Sequence, residues 1–347
     1  MSSYDYYLEK ALNSSNQSGK SALVEEYENA IINFFNVENA IAVNSGSSAL
    51  QTALHAVGAK AGKKVIVSAT APLPTLMPIS ATGAEIVFVD SLPDSPNINP
   101  EALEIEIDPN VVAVIEVSLW GYLQDYKALL AILNKFNLPL IEDAAHSHGS
   151  FANDKYAGTI GTIGCFSTHQ KKLLSTGEGG FIITNSSALT NRMRQFIRIG
   201  NLDGKNLGMN FKISAFTAAI GLARLSEFQT ILYTRNNSRL ELLEFLIPHG
   251  FKELTHVGTP NGYNLVLDIG KIPSEKLLNS LKESGIELDV LKYNYKCGYK
   301  HPLFLNTFKR CENAELLIPR LIQLPTDLCD NKTLSQKFIN LFKADIE

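Results

Sequence analysis

The sequence predicts an α/β fold, with a large three-layer α/β/α domain on a mostly parallel sheet followed by a smaller α+β C-terminal domain. Short apolar runs alternate with helix-period segments through the first two-thirds of the chain. The apolar runs are continuous rather than alternating, as in Val111–Leu119, which is typical of parallel strands covered on both faces. At 347 residues the chain also exceeds the usual size of a single core, which favours two domains.

The predicted elements follow one another in a regular order. Strands of the large domain are predicted at Lys64–Val67, Glu85–Val89, Val111–Leu119, Pro139–Asp143, Gly164–Ser167 and Gly180–Thr184. Helices are predicted between them at Ser47–Val57, Ala71–Ala81, Asp125–Phe136 and Ser187–Ile199. A long helical run without proline then follows, which we interpret as the linker from a large domain at 1–235 to a small domain at 236–347. In the small domain we expect strands at Asn264–Ile269 and Leu321–Leu324 and helices at Ser274–Ser284 and Leu334–Ala344.

The composition argues against several classes of protein. Hydrophobic residues make up 45% and charged residues 19%, as in an ordinary globular protein, and the net charge of -4 argues against a nucleic-acid partner. No segment approaches the ~20 apolar residues of a membrane span, and the N-terminus has no signal-peptide pattern. The four cysteines form no C-x-x-C pair, so we expect reduced thiols in a cytoplasmic protein, with neither a metal site nor disulfides.

The first candidate segment is Val43–Leu54, where a short apolar strand ends in Ser-Gly-Ser-Ser and enters a helix. A helix N-terminus offers unpaired N–H groups and a positive dipole end, which together can bind an anion. Gly46 would allow close approach of the backbone, and Ser47 and Ser48 would add hydroxyl donors. An ordinary helix N-cap explains the same residues.

The second candidate segment is Ile141–Ser150, where an apolar strand delivers Glu142 and Asp143 at its C-terminal end. Open α/β sheets bind ligands at that edge. An aspartate there suits a metal, a ribose or a protonated ring nitrogen. A helix N-cap followed by solvated histidines is the alternative. Metal binding by Asp143, His146 and His148 finds no support in a second acidic or histidine cluster.

The third segment, Gly164–Thr184, contributes most to the functional prediction. Ser167 closes a strand, Lys171 and Lys172 follow, and a glycine-rich turn leads back into an apolar strand. A lysine on a short loop between buried strands can be desolvated, which lowers its pKa and makes its amine a nucleophile. Two surface lysines beside a glycine turn are the alternative.

The fourth segment is Gly208–Leu225, which runs into the long helical stretch. Its alanines and glycines form a small-residue face that we assign to core packing. Asn210 and Lys212 precede this face and are available to contact a partner or an anion.

Together the four segments resemble the DegT/StrS-type sugar aminotransferases, which are pyridoxal-phosphate (PLP) enzymes with the type I, aspartate-aminotransferase fold. The similarity runs from about Val24 to Leu225 and resumes weakly at LIQLPTDL. The SGSS, EDAA, FSTHQKK and GEGG segments occur in the order of that family. Each segment alone is common, but the combination is specific.

The resemblance implies a role for each matched residue. Lys172 matches the Schiff-base lysine, and Lys171 is only its neighbour. Asp143 matches the carboxylate that keeps the pyridine nitrogen protonated, so that the ring can act as an electron sink. The backbone at Ser47 and Ser48, beside Gly46, and the Ser167 hydroxyl match the phosphate cradle.

Two further matches concern a second subunit. Asn210 matches a phosphate contact that the family supplies from the other subunit, which implies a homodimer with shared sites. Lys212 occupies a position where the family often has a basic residue near the same phosphate.

Three departures from the family pattern line the expected pocket. Pro72 stands where an aromatic ring usually stacks on the cofactor, and His146 replaces a glutamine beside the ring oxygen. Ser118–Gly121 reads Ser-Leu-Trp-Gly where the family commonly has His-Leu-Tyr-Gly. These differences leave the identity of the acceptor open.

The function that the resemblance implies is amino transfer from L-glutamate to a keto-sugar, which we expect to be nucleotide-linked, in the synthesis of surface polysaccharides or amino sugars. One alternative is a PLP-dependent sugar dehydratase, a branch in which histidine replaces the Schiff-base lysine; His169 is nearby, but Lys172 is present. Another alternative is a non-catalytic binding or regulatory protein that keeps the fold. The intact Lys172, Asp143 and phosphate cradle argue against it.

Overall fold

The computed structural model describes residues 2–286, 288, 293, 295–307, 309–327 and 331–343. Its α-helices are α1 Ser3–Leu12, α2 Ala22–Phe35, α3 Gly46–Ala56, α4 Leu73–Ala81, α5 Pro100–Ile105, α6 Lys127–Phe136, α7 Ser187–Phe196, α8 Ala215–Ser226, α9 Phe228–Leu246, α10 Glu275–Glu283, α11 Glu312–Leu317 and α12 Asn331–Lys343. Its strands are β1 Asn39–Val43, β2 Lys64–Ser68, β3 Glu85–Val89, β4 Ser91–Leu92, β5 Ser95–Ile98, β6 Val111–Val117, β7 Leu140–Asp143, β8 Phe151–Ala152, β9 Lys155–Tyr156, β10 Ile163–Ser167, β11 Gly180–Thr184, β12 Lys252–Glu253, β13 Asn264–Asp268 and β14 Leu321–Pro325.

Seven strands form the central sheet, in the order β1-β11-β10-β7-β6-β2-β3. Strand β11 is antiparallel to both of its neighbours, and the remaining neighbours are parallel. The prediction of a mostly parallel sheet is therefore confirmed. Because β7 and β10 are adjacent and parallel, Asp143 and Ser167 end their strands at the same edge of the sheet.

The sheet is the middle one of three layers, because its strands bury apolar side chains on both faces. Along β2, Val65 and Val67 belong to one hydrophobic core while Ile66 belongs to the other. Helix α3 covers the first face with Leu50, and helix α2 covers the second with Tyr27. This alternation explains why the strands appear in the sequence as uninterrupted apolar runs.

A smaller antiparallel sheet, β12-β13-β14, forms the C-terminal part with its own core. The long helical run is interrupted at Glu227, which separates α8 from α9. Helix α9 runs across the predicted domain division at 235/236, with Phe228 in a core of the large sheet and Leu242 in the C-terminal core. The division itself stays a prediction, and Ala344 of the predicted last helix lies outside the described residues.

Two predicted elements end two or three residues earlier than expected, and each ends shortly before a residue with left-handed backbone. Strand β6 stops at Val117, after which a single 3-10 turn contains Trp120 at φ 55°. Helix α7 stops at Phe196, shortly before Ile199 at φ 57°. No helix in the described part of the chain is both long enough and apolar enough to cross a membrane.

Candidate active site

A cavity of about 620 Å³ opens at the edge of the sheet where β7 and β10 end. Most of the residues predicted from the sequence as site residues line this cavity. They are Gly46, Ser47, Pro72, Asp143, His146, Ser167 and Lys172. Three residues predicted for the cofactor site, Ser48, Asn210 and Lys212, are not in its lining.

Asp143 is the last residue of β7, and its side chain is almost fully buried. Its Oδ2 accepts a hydrogen bond of 2.6 Å from the Thr75 hydroxyl, and its Oδ1 accepts one of 3.2 Å from the Ala145 N–H. Burial raises the pKa of Asp143, while the Thr75 and Ala145 hydrogen bonds and the Lys172 charge oppose that rise. A cation placed beside this carboxylate would therefore stabilise its charged form.

The preceding residue, Glu142, has a structural role. Its carboxylate accepts N–H groups from Gly158 at 2.8 Å, Ile160 at 2.7 Å and Gly161 at 2.5 Å. Burial raises its pKa to about 7, although these hydrogen bonds act to lower it. Because successive side chains of a strand point to opposite faces, only one of the two neighbouring acids faces the cavity.

Lys172 lies on the turn that follows β10, and its Nζ is 5.5 Å from the centroid of the Tyr263 ring. Its N–H donates to the His169 carbonyl at 2.8 Å. Gly179 closes the turn with φ 155°, and a Cβ there would lie 2.5 Å from the Thr168 hydroxyl oxygen, so the turn requires glycine. This packing holds Lys172 half-buried in the cavity wall.

Lys171, by contrast, is exposed at the cavity rim. Its Nζ donates to the hydroxyl of Tyr293 and lies 5.0 Å from the centroid of that ring. The two neighbouring lysines therefore have different environments, and only Lys172 is half-buried.

The corner of the cavity at the N-terminus of α3 suits an anion. A Cβ on Gly46 would lie 2.7 Å from the Ser167 Cβ, so the helix can approach β10 this closely only with glycine. The N–H groups of Gly46 and Ser47 begin the helix and have no intrahelical acceptor. This geometry places two backbone donors and the Ser167 hydroxyl at one corner.

Ser48 is turned away from that corner. Its N–H donates to Ser45 Oγ at 3.0 Å, because Ser45 is the N-cap of α3. Its hydroxyl donates to Asn44 Oδ1 at 2.6 Å. The helix cap and the Asn44 contact thus use both polar groups of Ser48, which leaves its predicted role in the phosphate cradle without support from the geometry.

Asn210 and Lys212 lie outside the cavity of their own chain. Asn210 is exposed and accepts a hydrogen bond from Lys212 Nζ. Exposed apolar side chains precede this segment in the sequence. They are Ile199, Leu202, Leu207 and Met209.

His146 and Pro72 occupy two positions where the chain departs from the family pattern. Pro72 is the N-cap of α4, the helix that carries Thr75, and it presents an aliphatic surface to the cavity. The His146 ring stacks on Tyr263 with centroids 4.8 Å apart and an angle of 18°. Burial, and then the nearby Lys172 and His148, hold the pKa of His146 well below its usual range, so the ring is neutral.

Several lining residues could not be identified from the sequence. Tyr263, Tyr293, Tyr295 and His301 belong to no recognised motif, whereas Trp120 lies in the Ser118–Gly121 segment already compared with the family. The Trp120 and Tyr295 rings meet edge to face at 5.6 Å, and the Tyr295 hydroxyl donates to the Thr70 carbonyl. The C-terminal part of the chain thus closes the cavity with aromatic rings.

Of the three residues considered for a metal, Asp143 and His146 line the cavity and His148 does not. Asp143 accepts a hydrogen bond from the Thr75 hydroxyl, and the centroids of the His148 and Phe166 rings are 5.2 Å apart. Among the residues that the structure describes, no group of three or more His, Cys, Asp and Glu side chains is arranged to hold a metal ion.

The model of the DegT/DnrJ/EryC1/StrS aminotransferase family matches residues 4–332, which is nearly the whole chain. The chain belongs to this family. It is 33% identical over 237 residues to GDP-perosamine synthase of Caulobacter vibrioides, an alignment that covers 67% of this chain and 63% of that protein. It is 31% identical over 272 residues to UDP-2-acetamido-2-deoxy-3-oxo-D-glucuronate aminotransferase of Pseudomonas aeruginosa, covering 76% of this chain and 74% of that protein.

Solved structures of the family have the same fold. The crystal structure of DesI in the presence of its TDP-sugar product is 25% identical, with a TM-score of 0.89 over 97% of this chain and 89% of that chain. The apo-form structure of Spr1654 of Streptococcus pneumoniae has a TM-score of 0.91 at 20% identity, covering 99% of this chain and 96% of that chain, and shows the fold alone. The PLP-transferase type I fold expected from the sequence is confirmed.

Aminotransferases of this family depend on PLP, and the cavity fits that cofactor. Asp143 offers a buried carboxylate to a protonated ring nitrogen, and Lys172 lines the same cavity. The α3 N-terminus and Ser167 offer donors to a phosphate.

Proposed function

We propose that this protein transfers an amino group from L-glutamate to a nucleotide-linked keto-sugar, with PLP bound covalently to Lys172. The observation that carries the proposal is the placement of the Asp143 carboxylate and the Lys172 amine around one cavity with an anion corner. An acid of this kind and a half-buried amine are the two groups that PLP chemistry requires of a protein.

Each residue has a distinct task in this proposal. Bound PLP supplies an electron sink for the bonds at the α-carbon of the amino donor. Once the amino group of the donor takes its place on the cofactor, the freed Lys172 amine would remove a proton from that carbon and, in the second half-reaction, would deliver a proton to the acceptor carbon that receives the nitrogen. Asp143 holds the proton of the ring nitrogen, and the Gly46–Ser47 N–H groups and the Ser167 hydroxyl bind the phosphate.

The names of the relatives support a sugar acceptor. One relative is a GDP-perosamine synthase, and another is an aminotransferase of a UDP-linked 3-oxo sugar acid. We therefore propose a role in the synthesis of amino sugars or of surface polysaccharides that contain them. L-glutamate is the proposed donor by family resemblance.

We further propose a homodimer with two shared sites, in which Asn210 of one chain reaches the phosphate of the other. The exposure of Asn210, near exposed apolar side chains such as Leu202 and Leu207, supports an interface there. The three cysteines in the described part of the chain are free thiols, which is consistent with the proposed cytoplasmic location.

The proposal is tested by the two half-reactions. L-glutamate alone should change the absorbance of the PLP-loaded protein and release one 2-oxoglutarate per site. Addition of GDP- or UDP-linked keto-hexoses should reverse the absorbance change and give an amino sugar, detected by mass spectrometry. L-glutamine serves as the comparison donor.

Two other outcomes would replace the proposal. A deoxy-sugar without nitrogen would indicate a dehydratase. The absence of any absorbance response to every amino donor tested would favour a binding or regulatory protein.

A further inference from the structure

Trp120 adopts a backbone conformation that side-chain-bearing residues rarely occupy. Its φ is 55° and its ψ is 14°, and the next residue, Gly121, has φ 90°. A left-handed backbone at a large residue persists only where the surrounding structure enforces it, and such residues concentrate at functional sites.

Several contacts enforce this conformation. On one side, the Ser118 N–H donates to the Asp143 carbonyl at 3.2 Å; on the other, the Ser150 hydroxyl donates to the Gly121 carbonyl at 2.7 Å. Trp120 is 2% exposed, and its indole packs against the Tyr295 ring. The turn is thus fixed to β7, to the segment after it and to the C-terminal part of the chain.

The consequence of this conformation is a hydrogen bond to His146. The backbone N–H of Trp120 donates to His146 Nδ1 at 3.2 Å. A backbone N–H can only donate, so Nδ1 must be the acceptor and carries no proton. The proton of the neutral imidazole is then on Nε2.

Two contacts from the C-terminal part of the chain hold the histidine in place. Tyr263 stacks on its ring, and the Asn261 side-chain amide donates to its carbonyl at 2.9 Å. No residue that the structure describes forms a hydrogen bond with Nε2, and His146 lines the cavity.

The charged and titratable groups around the ring also favour its neutral form. After burial, the nearby Lys172 and His148 also disfavour a positive charge on His146. Two acids line the same cavity: Asp143 is hydrogen-bonded to Thr75 and Ala145, and Glu178 lies 3.7 Å from His169 Nε2.

We propose that Trp120 is a positioning residue whose left-handed backbone locks His146 in the Nε2–H tautomer, so that the ring offers a neutral N–H donor to an anionic oxygen in the cavity. The tautomer is independent of the proposed function. The further statement that the Nε2–H donates to the ring oxygen of PLP rests on the proposed function.

The first test measures the tautomer without cofactor. In apo protein labelled with ¹⁵N-histidine, and with the His146 signals assigned by the loss of signals in His146→Gln, we expect a protonated Nε2 and an unprotonated Nδ1 from about pH 5 to 8. A proton on Nδ1, or an ordinary histidine titration in that range, overturns the proposal.

A matched pair of variants tests the role of the backbone. Trp120→Gly and Trp120→Val both remove the indole, but glycine adopts a left-handed backbone readily and valine does not. His146 should keep its tautomer in the glycine variant and begin to titrate or exchange tautomers in the valine variant. If both variants fold and His146 titrates in the same way in both, the backbone mechanism is contradicted. If either variant fails to fold, the spectrum of the wild-type protein alone tests the tautomer.

The last test concerns the use of the donor. Glutamine can accept from Trp120 with Oε1 and donate with Nε2, whereas phenylalanine keeps only the stacking on Tyr263. In PLP-loaded protein, His146→Phe should move the pH midpoint of the cofactor absorbance by at least ~1 unit, and His146→Gln should leave it near the wild-type value. Equal shifts in both overturn the donor role, whereas a failure to bind PLP at all would contradict the proposed function and leave the tautomer result standing.

Discussion

The two halves of the cavity are built in different ways. The strand-end half consists of Gly46, Asp143, Ser167 and Lys172, and each of these residues is placed by a strand of the central sheet or by the turn or helix beside it. The aromatic half consists of Trp120, Tyr263, Tyr293 and Tyr295, placed mainly by the packing of the C-terminal part of the chain. We propose that the first half determines the chemistry and that the second half selects the acceptor.

The largest expected effect is in the strand-end half, at Lys172. Lys172→Ala should slow both half-reactions by on the order of 10⁴-fold, because the amine that moves the proton is gone. The corner of the cavity at the N-terminus of α3, which suits an anion, is unchanged in this variant. The rate is measured by stopped-flow absorbance with L-glutamate.

Lys171→Ala is the matched control for Lys172, since Lys171 is the adjacent lysine and is exposed beside Tyr293. It should keep the rate with L-glutamate near the wild-type value. Borohydride reduction and peptide mapping should place the label on Lys172, and a label on Lys171 would reverse the assignment.

Asp143→Asn should slow the half-reaction with L-glutamate by on the order of 10² to 10³-fold, because a neutral amide does not keep a ring nitrogen protonated. The variant is nearly isosteric and can still accept the Thr75 hydrogen bond. Unchanged thermal unfolding together with the lost rate would separate chemistry from folding. A variant that retained the wild-type rate would show that the Asp143 carboxylate is not needed for the chemistry.

Asn210→Ala should weaken PLP binding by about 1–3 kcal/mol, since a charge-assisted contact to the phosphate is lost. A mixed dimer of Lys172→Ala and Asn210→Ala chains decides which chain supplies Asn210. If sites are shared, one site of that dimer is intact and binds PLP with wild-type affinity. If both residues serve the same chain, no site of the mixed dimer is intact.

The smallest expected effect lies in the aromatic half. Tyr295→Leu should raise KM for the keto-sugar roughly 2- to 10-fold, as expected for the loss of one aromatic contact, without changing the half-reaction with L-glutamate. Steady-state kinetics with saturating donor provide the measurement. A slower glutamate half-reaction would mean that the aromatic half also takes part in the chemistry.

Sequence patterns predicted the strand-end half because local rules apply there. The continuous apolar runs of β6 and β7 identify buried parallel strands, and a polar residue after such a run, such as Asp143, lies at a known edge of the sheet. The same reasoning could not distinguish Ser48 from Ser47. That difference depends on Ser45, which caps α3 and takes the Ser48 N–H.

By itself, the sequence determined the fold class, the family resemblance and the positions of the candidate acid and lysine, because strand periodicity and short motifs depend on near neighbours in the chain. Only the tertiary structure decided which aromatic rings close the cavity, since Tyr263 and Tyr295 reach His146 and Trp120 across more than a hundred residues. It also decided the protonation of His146. A hydrogen bond from a strained backbone N–H depends on three-dimensional packing, and no sequence pattern records it.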